Sequence, residues 1–199
     1  MDHLVKYYNF KKSELVGYVK ESGSSELEER TRDIIRNIES FDTELLKESY
    51  RSMLTALLME ITKSGLEAKL SALFIEHDIW GYEGYLYGYV GGEYPLLDGS
   101  KDLDYECFGE QDFTSEGYFD YSVLWKVADD ETIEFLESAY YPDSGLFSFF
   151  KEYLAASAFV ELGNVISELQ SEMPVDHLLN RIPIYANEHD MPQVSISAV

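Results

Sequence analysis

The hydrophobic period of this chain changes twice along its length, and the order of those changes constrains the fold more than any other feature. Between Leu27 and Ile61 the apolar residues recur at helical spacing. Leu27, Ile34, Ile35 and Ile38 form one stripe, and Leu45, Leu46, Tyr50, Met53, Leu54, Leu57, Leu58 and Ile61 form a wider one. From Leu70 the period is two. Leu70–Ile75 is apolar on both alternations, as in a central strand covered on both faces. Tyr85, Tyr87 and Tyr89 then share one side of the next segment, against Leu86, Gly88 and Val90 on the other. From about Leu146 to Glu172 a stretch nearly all apolar in its first half predicts a central core helix, ended by Pro174. The expected fold is α+β: N-terminal helices, a central, mostly antiparallel sheet and a long buried C-terminal helix. The 199 residues suit a single domain over 1–199.

Local signals set the expected boundaries. Met1–Glu21 gives no clean period and suits one or two short helices before Ser22-Gly23-Ser24 breaks the chain. Ser25 and Glu28 have capping-box spacing for a helix over 25–40; Asp42 can cap the next, and Gly65 can stop it. Residues 70–91 read as a β-hairpin, turning between Gly81 and Gly84 and closed by Gly91-Gly92. Residues 92–117 are rich in turn formers and read as a long surface excursion with one short strand near Tyr105. Phe119, Tyr121, Val123, Trp125 and Val127 make one face of a strand, and Asp129 or Asp130 caps a short helix to about Ala139. Gly163 weakens the long helix and is a point at which it can divide. In the tail, Ile182, Ile184 and Ala186, then Val194, Ile196 and Ala198, alternate as edge strands do; Pro183 favours the edge over the centre.

Charge is the other constraint. The chain has a formal net charge of −23 and a pI near 4.3. From Glu76 to Asp143 there are 18 Asp or Glu against Lys101 and Lys126, whereas residues 1–75 are almost balanced. The acids are interleaved with rings, among them Trp80, Tyr82, Tyr85, Tyr87, Tyr89, Tyr94 and Trp125. Such a field repels nucleic acid and anionic membrane and draws in basic surfaces with fast, salt-sensitive association. Cys107 is the single cysteine, so no disulfide forms within the chain, which fits a reducing compartment. The first twenty residues show no signal peptide. Leu146–Leu162 is interrupted by Lys151, Glu152 and Glu161 and is too short to span a bilayer. A soluble cytoplasmic protein is expected.

Reactive constellations are sparse. On a strand His77 points away from Glu76 and Asp78, and His3, His177 and His189 have no metal-ligand spacing with it. Asp98–Glu106 concentrates oxygens, but it lacks the glycine and terminal glutamate of a calcium loop and contains Lys101. The acidic neighbour Glu106 opposes thiolate formation at Cys107. Lys47 and Arg51, one turn apart, suit either an anion site or a solvated helix face. No phosphate loop, nucleophile elbow or dinucleotide fingerprint occurs. No catalytic residue, metal site or cofactor is therefore expected.

What remains is a surface for binding. Carboxylates give long-range attraction, and tyrosines give rigid contact area with a hydroxyl at the tip. The residues expected to meet a basic partner are Glu83, Tyr85, Tyr87, Glu93, Tyr94, Asp98, Asp102, Asp104, Glu106, Glu110, Asp112, Glu116 and Asp120. In size, charge and mixed helix–strand pattern the whole chain resembles the small acidic immunity proteins of bacterial toxin systems. That resemblance implies a non-enzymatic inhibitor that sits against a basic toxin domain and blocks it. Two other readings are open. Rings near Trp80, Tyr85 and Trp125 with paired carboxylates suit a small-ligand or carbohydrate-binding or hydrolysing domain. An acidic DNA-mimic inhibitor shares the charge logic, although a mimic usually spreads its acids over helices.

Overall fold

The computed structural model describes residues 2–78, 83–99, 108–120, 134, 144–188 and 192–197. The fold is α+β, as expected. The first segment is one helix, α1 (Asp2–Ser22), with Leu4, Tyr7, Lys11, Leu15 and Val19 buried along one stripe. Lys11 is what hides the period in the sequence. Its ammonium bonds Glu14 Oε2 at 2.9 Å and also Glu152, so a neutralised cation takes an apolar position. In α2 (Ser25–Glu39) the cap is Ser24 rather than Ser25: its hydroxyl accepts the Leu27 N–H at 3.3 Å. Asp42 Oδ1 accepts the Glu44 N–H at 3.1 Å at the start of α3 (Glu44–Ser64). Gly65 closes α3 at φ 72°, a left-handed conformation that glycine adopts without strain.

Strand β1 (Ala72–Asp78) and strand β2 (Glu83–Gly92) form the expected antiparallel hairpin, with Phe74 opposite Tyr87 and Glu76 opposite Tyr85. The excursion after β2 contains a strand, β3 (Phe108–Thr114), whereas the short strand expected near Tyr105 lies outside the described residues. β3 pairs antiparallel with β2, and β4 (Phe119–Asp120) pairs with β2 at Glu83 and Gly84. The rest of the strand expected through Val127, and all but Glu134 of the helix expected after Asp129, lie outside the described residues.

The largest correction concerns the tail. β5 (Ile184–Glu188) is not an edge strand but runs parallel to β1 in the sheet interior, and β6 (Val194–Ser197) takes the edge, giving the order β3-β2-β1-β5-β6. Pro183 is tolerated because it precedes the strand and contributes only its carbonyl, which accepts the Leu73 N–H at 3.1 Å.

The described helices lie on one side of this sheet, with the long C-terminal helix packed directly against it. Helix α4 (Ser144–Glu172) runs unbroken through Gly163 and buries Phe150, Tyr153, Leu154, Phe159, Leu162 and Ile166. It joins α1, α2, α3 and the sheet residues Leu73, Ile75, Leu86, Phe113, Ile184, Ala186, Val194 and Ile196 in one apolar cluster. Lys47 and Arg51 resolve as a solvated helix face engaged within the molecule. Lys47 lies 3.7 Å from Glu161, and Arg51 reaches Glu168 at 2.5 Å and Glu172 at 3.0 Å, tying α3 to α4. No described helix is long and apolar enough to cross a membrane.

Candidate functional site

The face of the sheet turned away from the helices is built from aromatic rings and carboxylates. Strand alternation puts Ala72, Phe74, Glu76 and Asp78 of β1 on this face beside Glu83, Tyr85, Tyr87 and Tyr89 of β2 and Tyr185 of β5. Phe74 is its centre. Its ring lies 4.9 Å from Tyr185, 5.0 Å from Tyr89 and 6.2 Å from Tyr94, and with Ala72 and Tyr185 it forms a small apolar cluster separate from the main core.

Residues 94–98 cross this face and cover one end of it. Tyr185 Oη donates to the Pro95 carbonyl at 2.7 Å, and Tyr94 Oη accepts the Gly109 N–H at 3.1 Å. Leu97 and Ser195 exchange two bonds: Ser195 Oγ accepts the Leu97 N–H at 2.8 Å, and the Ser195 N–H reaches the Leu97 carbonyl at 3.0 Å. The strap thus anchors the half of the face over β5 and β6. Burial pushes the Tyr185 hydroxyl up to about 12 and raises that of Tyr94.

The other half carries the acids. Asp78 stands opposite Glu83 across the β1–β2 pair, and Glu83 stands opposite Asp120 across the β2–β4 pair. Three carboxylate residues therefore occupy consecutive strands in one row. Glu76, one alternation up, is opposite Tyr85. Like charges directly opposite are unfavourable in a sheet, and strands β1 to β4 contain no lysine or arginine to interleave with them. Tyr85 Oη donates to Glu83 Oε2 at 2.7 Å; that bond, then burial, raises its pKa. Burial and the nearby Glu76 carboxylate raise that of Tyr87. Tyr85 and Tyr87 are half-buried, and Tyr118, with its ring 6.4 Å from Tyr85, is 47% exposed. Rings and carboxylates side by side suit a guanidinium or ammonium, which pairs with the acids while its stem lies on the rings.

The residues expected at the site are only partly brought together. Glu83, Tyr85, Tyr87 and Tyr94 share the outer face, and the Asp120 backbone pairs with that of Glu83. Glu93 is exposed just past β2. Asp98 is at the opposite edge, where it bridges Val194 and lines a cleft with His3, Lys6, Tyr7 and Phe10 of α1. Glu110 and Asp112 are exposed on β3, where a bulge puts Asp112 out of the paired register; a charged, bulged edge strand resists stray pairing. Glu116 faces α3, its N–H bonded to Glu60 Oε2 at 3.2 Å. Asp102, Asp104 and Glu106 lie outside the described residues. Glu76, Asp78, Phe74 and Tyr185 were not among the expected contacts. The hairpin register was the available signal for the first two, since it sets them beside Glu83 and Tyr85.

His77 occupies the helix side of β1 and is fully buried, with Nε2 3.3 Å from Tyr50 Oη and its ring 5.1 Å from Phe159. Burial drives its pKa down to about 3, so the ring is neutral. Beside it on β5, Glu188 is buried and receives Lys151 Nζ at 2.9 Å. Among the described residues no group of three His, Cys, Asp or Glu side chains is arranged to hold a metal ion. No family model, curated protein or solved structure matches this chain.

Proposed function

We propose that this protein is a non-enzymatic binding protein that occludes a basic partner, in the manner of an immunity or antitoxin-type inhibitor. The observation that supports it most is the pair Asp78 and Glu83 opposite one another on adjacent strands, in one row next to Glu76 and the half-buried Tyr85 and Tyr87. The row concentrates negative potential where rings offer flat contact area, which suits arginine and lysine on a protein surface. A net charge of −23 adds long-range steering toward such a partner. The contact proposed is the outer face, and the acids Asp102, Asp104 and Glu106 are proposed to take part in it.

Complex formation with a basic toxin-type domain encoded beside this chain tests the reading. The complex should weaken steeply as salt rises, because its attraction acts over a Debye length of about 10 Å at 0.1 M ionic strength. Binding indifferent to salt contradicts it. So does turnover of a small substrate by the isolated protein that is lost when one outer-face carboxylate is changed to its amide.

A further inference from the structure

On the helical layer, away from the tyrosine face, the seam between α1 and α2 opens into a cleft of about 310 Å³. Val16 and Val19 of α1 and Ile35 of α2 give it an apolar lining, and Lys12, Lys20 and Arg32 surround them. Most cations on the first three helices are matched to carboxylates, among them Lys11 to Glu14, Arg30 to Glu26, Arg36 to Asp33, Lys47 to Glu44 and Arg51 to Glu168. Lys12 likewise takes Glu39 at the far end of the seam. Lys6, Lys20, Arg32 and Lys63 are not matched in this way to any described residue, and of these four only Lys20 and Arg32 line the same cleft. Both are exposed, and neither forms an ion pair with any described residue. In a chain with 38 acids and 15 lysines and arginines, two unmatched cations at one apolar cleft select for a ligand of opposite sign. Glu28 is the one acid in the lining, and with Lys12, Lys20 and Arg32 beside it the lining stays net positive even when Glu39 is counted.

We infer that this cleft binds a single-chain amphiphilic carboxylate, with its head between Lys20 and Arg32 and its alkyl chain along Val16, Val19 and Ile35. The Arg32 guanidinium on α2 can take a carboxylate bidentately, and the Lys20 ammonium on α1 adds a point charge. The head alone does not suffice, since the field of so acidic a protein repels free anions. Affinity comes from both ends of the ligand, and it rises with chain length until the apolar lining is covered. The cleft is near the small end of ligand pockets, roughly 300–1,000 Å³, which suits one chain rather than a two-chain lipid.

Titration of the intact protein with laurate, followed by calorimetry, tests this. Laurate should bind saturably at one site per chain, whereas acetate, a head without a chain, and dodecyltrimethylammonium, a chain with the opposite head, should not. The double variant Lys20→Gln/Arg32→Gln changes two exposed residues and should keep its circular dichroism while binding laurate about ten-fold more weakly or worse. Val16→Trp, which fills the cleft from a half-buried position, should abolish binding while both cations remain. Laurate binding unchanged in either variant overturns the inference, as does equal binding of the cationic detergent. Sedimentation with phosphatidylglycerol vesicles in the absence of laurate binding also overturns it, in favour of a membrane contact. None of these outcomes bears on the outer face of the sheet, so this site and the partner surface stand or fall separately.

Discussion

His77 shows what a single residue can report. Its ring is sealed between Tyr50 and Phe159 and held neutral, with a pKa near 3 against the ordinary value of 6.5. Above pH 6.5 the ring is neutral in both the folded and the unfolded chain, and its protonation does not affect stability. Between pH 6.5 and about 3 only the unfolded chain takes up the proton, so stability is lost as pH falls, by about 1.4 kcal/mol per pH unit. Urea unfolding of the protein and of His77→Leu at pH 7 and pH 5 isolates this contribution. The variant should start less stable but show a shallower loss on acidification; parallel losses would mean that His77 is not buried neutral. Lys11 is the converse case. Burial lowers its pKa, but hydrogen bonds to Glu152 and Glu14 outweigh that and leave it raised. Lys11→Met strips the partly buried Glu152 of its cation and should cost about 1–3 kcal/mol in urea unfolding; no loss would show that the bridge contributes nothing net.

At the scale of elements, the strand layer depends on backbones packed too closely for a side chain. A Cβ on Gly109 would lie 2.1 Å from the Val90 carbonyl oxygen and 2.7 Å from Gly91 backbone atoms, none of which can swing aside. Gly109→Ala should therefore destabilise by about 2–4 kcal/mol, read as a lower midpoint in chemical unfolding, and an unchanged midpoint would contradict the β2–β3 pairing. The elements were unevenly legible in the sequence. Helices α2 and α3 and the β1–β2 hairpin follow from period and caps, because their local preferences agree with their tertiary roles. β5 does not, since its position beside β1 is a parallel pairing across more than a hundred residues, and Pro183 argues locally for an edge. α1 was obscured because a lysine occupies a core position, where Glu14 on the same helix and Glu152 on α4 neutralise it. Gly163 weakens α4 as a helix in isolation, but burial along its length overrides that small preference.

At the scale of the whole molecule, the segregation of balanced helices from acidic strands was plain in the sequence, whereas the shape of the acidic surface was not. Thirteen residues were expected to form one contact. The fold disperses several of those described: Asp98 goes to the β6 edge, Glu116 to α3, and Glu110 and Asp112 to β3. It gathers Glu83, Tyr85 and Tyr87 with Glu76 and Asp78, whose role emerges only once cross-strand register is known. The central claim is that this outer face meets the basic partner. The most direct test is the association rate with the basic domain encoded beside this chain, compared for the unaltered protein, Glu76→Lys/Glu83→Lys and Asp102→Lys/Asp104→Lys/Glu106→Lys. With circular dichroism unchanged, reversal on the outer face should slow association by about ten-fold or more at low salt, with a smaller effect at high salt. An association rate untouched by the outer-face reversal, above all one slowed only by the 102–106 reversal, would contradict the account.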